Sequence, residues 1–124
     1  MVVALDHRDQ TGLGAPSDPT GWVSGSAGRI KDDCQAVCWL RSSRGVIRAA
    51  RFEVFAGADA LRAAGWLARW LEGRDIRDAR AVTGHWLAQS AAMDAESRAE
   101  ALCLEDALQA ALAALPDEGG GCSS

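Results

Sequence analysis

A chain of 124 residues, 48% hydrophobic and 24% charged, is long enough for one domain with a real core, too short for two, and too apolar to be disordered. A net charge of −4, with no long block of either sign, excludes the basic stripe of a nucleic-acid binder, and no apolar run approaches the roughly 20 residues that span a bilayer. The opening Met1-Val2-Val3-Ala4-Leu5 gives way at once to Asp6, His7 and Arg8, too short and too acidic for a secretory leader, so a cytoplasmic protein is expected.

Residues 1–30 hold a dense set of turn formers, among them Gly12, Gly14, Pro16, Pro19 and Gly21. They predict a short helical start near Val3–Arg8 and then an irregular segment, with a short edge strand at Trp22-Val23. Residues 34–41 alternate, with Cys34, Ala36, Cys38 and Leu40 on one side and Gln35, Val37, Trp39 and Arg41 on the other, the period of a half-buried strand. Ser42-Ser43-Arg44-Gly45 reads as a turn, and Val46–Phe55 alternates again less cleanly, completing a hairpin. After Gly57 the period becomes helical: Ala60, Leu61, Ala64, Leu67, Ala68 and Leu71 share a stripe that Trp66 and Trp70 widen, which predicts burial of both indoles against the sheet. Gly73 closes this helix. Asp75 opens a second, which Gly84 breaks; a short piece at His85–Ser90 follows. Asp94 caps a last helix over about 96–115, with Leu104, Leu108, Ala111, Leu112 and Leu115 on its inner face. Strands first and helices after predict an α+β fold, a small antiparallel sheet with helices packed on one face. One domain over 1–116 and a flexible tail over 117–124 are expected.

The four cysteines are Cys34, Cys38, Cys103 and Cys122. Cys34 and Cys38 form C-x3-C, but four residues along a strand span about 13 Å, too far to share one ion, so both are expected as small buried hydrophobes. Cys122 lies in a Gly/Ser tail and is expected as an exposed thiol. The only histidines are His7 and His85. Neither stands in a nucleophile motif and no Gly-rich phosphate loop precedes a helix, so an enzyme is not expected.

Four blocks occur in order along the chain: Leu5-Asp6-His7, Gly45-Val46-Ile47-Arg48-Ala49-Ala50-Arg51-Phe52, Leu71-Glu72-Gly73-Arg74-Asp75-Ile76-Arg77-Asp78-Ala79, and Leu104-Glu105-Asp106-Ala107-Leu108. Their content and spacing resemble the NifU/IscU family of iron–sulfur cluster assembly scaffolds, whose N-terminal-type domain carries L-D-H, G-x-I-x-D-A-[KR]-F, V-x-G-K-[ST]-x-x-E-A and A-E-D-A-[IL] at matching intervals. Members grip a cluster with three cysteines, helped by a histidine and an aspartate; soft thiolates suit iron–sulfur units and zinc, and the aspartate keeps the cluster labile. The resemblance places the first cysteine at Asp32, or at Lys31 if the loop slips by one. The second falls on Gly57, after Ala56, and the histidine and third cysteine on Ala99 and Glu100. The aspartate falls on Asp33 or Cys34. No thiolate stands at any of the three cysteine positions, and the proline-containing chaperone motif of some members is replaced by Met93-Asp94-Ala95-Glu96-Ser97.

The resemblance therefore implies a scaffold-like protein, and the replaced ligands point to a cluster-free paralogue kept as a binding or regulatory module, with no cofactor at the family site. Its implied partners are a cysteine desulfurase or iron–sulfur acceptor proteins. The alternative is a working scaffold for an iron–sulfur cluster, iron or zinc with a relocated site built on Cys34 or Cys103, helped by Asp32, Asp33 or Glu100. A third reading gathers Asp32, Asp33, Asp59 and Glu100 around a hard cation, against the simpler reading of Asp59 as a charge favouring a helix start.

Overall fold

The computed structural model describes residues 13–18, 20–29 and 34–115. Strands β1 (Val23–Arg29), β2 (Cys34–Ser43) and β3 (Val46–Phe55) form one antiparallel sheet in the order β1-β2-β3. Helices α1 (Ala58–Leu71), α2 (Ile76–Arg80), α3 (Gly84–Ser90) and α4 (Arg98–Ala113) follow, with a 3-10 turn at Ala95–Ser97 ahead of α4. The architecture is the expected α+β: α1 covers β3 on one face of the sheet while α4 covers β1 and β2. None of the described helices is long and apolar enough to cross a membrane.

The hairpin turns on Arg44 and Gly45, both at positive φ (56° and 77°). This is the type I′ geometry whose twist matches its flanking strands, so the turn is two residues rather than the expected four. The uneven alternation of β3 has a cause. The register runs Arg41 opposite Ala49 but Ser42 opposite Ile47, so Arg48 is the extra residue of a bulge. The inward set is Ile47, then Ala50 and Phe52, which face Leu40 and Cys38 across the strand pair. The second family-like block is thus two strand segments joined at a bulge.

β1 is longer than expected. The chain anticipated as irregular beyond Val23 is a seven-residue strand paired along its length with β2. Ser24, Gly25, Ser26 and Gly28 give it little β-propensity; its pairing with β2 and the helix above it define the strand. A Cβ built on Gly25 would overlap the backbone of Ala110 and Ala111 and lie 2.6 Å from the Ala110 Cβ, so α4 rests directly on the β1 backbone. The helical start predicted at Val3–Arg8 and the tail 117–124 lie outside the described residues.

Gly73, at φ 85°, ends α1 as expected, and its surroundings explain the third block. The Gly73 N–H donates to the Ile47 carbonyl at 2.8 Å and the Ile47 N–H to the Arg74 carbonyl at 2.9 Å, so the α1–α2 junction closes one end of the β3 edge. Three expectations need correction. α2 ends at Arg80, before Gly84 is reached. Gly84 is instead the buried first residue of α3, its N–H held by Glu105 Oε1 at 2.7 Å; a Cβ there would meet Leu102 N at 3.1 Å. Thr83 caps α3 by accepting from the Trp86 N–H. Asp94 makes no side-chain cap, and α4 proper starts at Arg98.

Trp66 and Trp70 do not bury against the sheet. Ala63, Ala64, Leu67, Ala68 and Leu71 form the buried face of α1. The two indoles are half-buried at the seam with α3, their ring centroids 5.7 Å and 4.8 Å from that of Trp86. The inner face of α4 is as expected, Leu104, Leu108, Ala111 and Leu112 being buried, with Cys103 and Ala107 added and Leu115 half-buried.

Candidate functional site

Gly57 directly follows β3 in extended conformation (φ −71°, ψ 171°) and is the residue before α1. Ala99 and Glu100 occupy the first turn of α4, where a carboxylate is favoured by the unpaired helix N–H groups. These segments meet. The Gly57 N–H donates to Glu100 Oε2 at 3.3 Å across 43 residues of chain, and a Cβ at Gly57 would stand 3.6 Å from the same oxygen. Gln35 pairs with Phe55, so the chain entering β2 arrives at the same end of the sheet. Asp32 and Asp33, on that entry, lie outside the described residues. Two of the four residues that the resemblance sets at ligand places, Gly57 and Glu100, are therefore in contact, and Ala99 is exposed beside Glu100.

The donor set is poor. Gly57 and Ala99 have no side chain able to hold a metal, and Glu100 offers hard oxygen already accepting a backbone N–H. The described sulfurs are buried. Cys103 Sγ lies 3.7 Å from the Ala27 carbonyl on β1, at the opposite edge of the three-stranded sheet from Gly57, two strand spacings or about 10 Å away. Cys34 and Cys38 are buried on the helix-covered face of β2, Cys38 without exposure, and burial pushes the Cys38 thiol up, away from thiolate. The C-x3-C pair thus serves as small core residues. Gly57, Ala99 and Glu100 do not supply the thiolates that an iron–sulfur cluster takes.

Asp59 stands in the first turn of α1, but its carboxylate is committed. Oδ2 accepts the Asp94 N–H at 2.9 Å and Oδ1 pairs with Arg62 at 2.6 Å, while Arg62 Nη1 donates to the Ala91 carbonyl at 2.6 Å. The Asp94 N–H first, and then Arg62, hold this carboxyl below the usual aspartate range. Asp59 therefore ties α1 to the turn ahead of α4 instead of joining Glu100, and among the described residues no three His, Cys, Asp or Glu side chains gather as metal ligands. A group with a depressed folded-state pKa stabilises above its unfolded value and loses that contribution as pH falls through the folded one. Asp59→Asn should lower the melting temperature at neutral pH. The gap to wild type should close as pH drops below the ordinary aspartate range; a gap independent of pH in thermal melts would contradict the tie. His85 is exposed in the first turn of α3; His7 lies outside the described residues.

A feature not anticipated is an open cleft of about 370 Å³ between the end of α1, α2 and the start of α3, lined by Trp70, Arg74, Asp78, Ala81, Val82 and Trp86. The sequence held a signal for it. Trp66 and Trp70 are each one residue out of phase with Leu67 and Leu71, roughly 100° around the helix, so they belong to a neighbouring face.

No known family profile and no curated protein matches this chain. Among solved structures, the chain is similar to a nitrogen-fixing NifU-like protein (N-terminal) from Brucella abortus, at 18% identity and a TM-score of 0.61, over 82% of this chain and 83% of that one. The fold is NifU-like, as the sequence blocks implied.

Proposed function

We propose that the chain is a scaffold-type domain of the NifU/IscU kind that works without a cluster, as a non-enzymatic binding or regulatory module in the cytoplasm. Its partners would come from the proteins such scaffolds meet, a cysteine desulfurase or iron–sulfur acceptors. The observation that carries this reading is the Glu100–Gly57 hydrogen bond. Where the family would set two thiolates, a carboxylate is spent on a neighbouring backbone N–H, and the described cysteines are buried. A hydrogen-bonded carboxylate and two side chains without donors close the surface chemically while leaving the frame whole.

Anaerobic reconstitution with ferrous iron and sulfide tests it. The wild-type protein should emerge from desalting without stoichiometric iron or sulfide-to-iron charge-transfer absorption. A stable cluster at one per chain would overturn the reading, and its loss on Cys34→Ser or Cys103→Ser would establish the relocated site instead.

A further inference from the structure

The cleft between α1 and α3 has chemistry unrelated to the cluster positions. Its wall is Trp70 set against Trp86, the rings tilted by 58°, with Ala81 and Val82 beside them. Both indoles are half-buried, although the core beneath is filled by the alanines and leucines of α1. Two part-exposed indoles meeting at an open cleft form the kind of aromatic wall on which extended peptide segments dock.

Arg74 gives the cleft its charge preference. Its guanidinium lies over the Trp70 ring at 4.2 Å from the centroid, and Nε donates to the Trp70 carbonyl at 3.1 Å. Stacking and this bond hold the plane of the group, while its two Nη groups make no hydrogen bond to any described residue. A fixed guanidinium with an unspent terminal fork matches a carboxylate, two parallel N–H···O bonds at once. Asp78 lines the same cleft; it would repel an acid placed beside it and accept a peptide N–H. The two charges therefore give a bound chain a direction, with its acid at Arg74.

We propose that this cleft docks a short acidic, proline-containing segment of a partner protein. A proline ring rests on the Trp70–Trp86 wall, and a following Asp or Glu carboxylate pairs with Arg74. Tilted indoles suit a proline ring, which is rigid and already extended, so little conformational entropy is lost on binding. The cleft is open and near the small end of ligand-pocket volumes, which fits one or two side chains of a passing peptide better than an enclosed small molecule.

The chain carries its own reporters, since Trp22 and Trp39 lie away from the cleft while Trp70 and Trp86 line it. The full chain, labelled at the indole nitrogens, is titrated with end-blocked Pro-Pro-Asp-Glu and with a control bearing lysine at both acids. The Trp70 and Trp86 signals should move with the acidic peptide only, those of Trp22 and Trp39 should stay, and Arg74→Gln should weaken binding about tenfold or more while the chain still unfolds cooperatively. Arg74→Lys, which keeps the charge but not the fork, should fall between. Equal binding of the lysine control, movement at Trp22 or Trp39 alone, or no effect of Arg74→Gln would overturn the proposal. The chain's own Pro116-Asp117-Glu118 has the same chemistry; if a chain ending at Leu115 binds the peptide tenfold more tightly than the full chain, the occupant is internal and the partner proposal fails.

Discussion

Gly25→Ala is expected to destabilise the protein by about 3 kcal/mol, the upper range for forcing atoms into a close-packed site, a fall of roughly 10 °C in melting temperature for a chain of this size. The added methyl would overlap the backbone of Ala110 and Ala111. Neither can turn aside as a flexible side chain would, because both lie within α4. α4 would have to lift from β1, loosening the contacts of Leu108, Ala111 and Leu112 with the core. Gly45→Ala is the control. Nothing lies within 4 Å of a Cβ there, but φ is 77°, so only backbone strain of about 1 kcal/mol is at stake. Urea unfolding of both variants separates the causes: equal losses would mean that the close approach of helix to strand is not what demands Gly25.

The second large effect is a gain. Gly57→Cys, Ala99→His and Glu100→Cys together should turn the chain into a zinc binder, because three N/S ligands with water completing a tetrahedron are a sufficient set. At a thousandfold excess of zinc over Kd, the added stability is about 4 kcal/mol, easily read as a rise in melting temperature that a chelator reverses. Gly57 faces the carboxylate end of Glu100, so both new thiols belong to one patch. The wild type should show no rise. A triple variant blind to zinc would mean that contact between these positions does not amount to ligand geometry. A wild type stabilised as strongly would mean that the emptied-site reading is wrong.

Several features were legible before any coordinates. The period-two run from Cys34 to Leu40 and the helical stripe from Ala60 to Leu71 report burial directly, because side-chain direction repeats with the backbone. The family-like blocks pointed to the fold, which the structure has; of the residues they set at ligand places, Gly57 and Glu100 are in contact. Less was legible where local chemistry was neutral. Asp59 stood in sequence more simply as a helix-start charge than as a metal ligand; the Asp94 N–H and Arg62 at its oxygens show what occupies its carboxylate.

The amino-acid sequence alone determined the order of the elements and the inward faces of β2, α1 and α4, because each is a property of residue type and spacing. Only the tertiary structure decided that Ser24–Gly28 is strand, that Arg48 is a bulge, that Gly84 begins a helix, and that Trp66 and Trp70 face Trp86 instead of the sheet. In each of these cases the energy comes from atoms distant in sequence: a helix backbone on a bare glycine, a neighbouring strand that sets the register, an indole supplied by another helix.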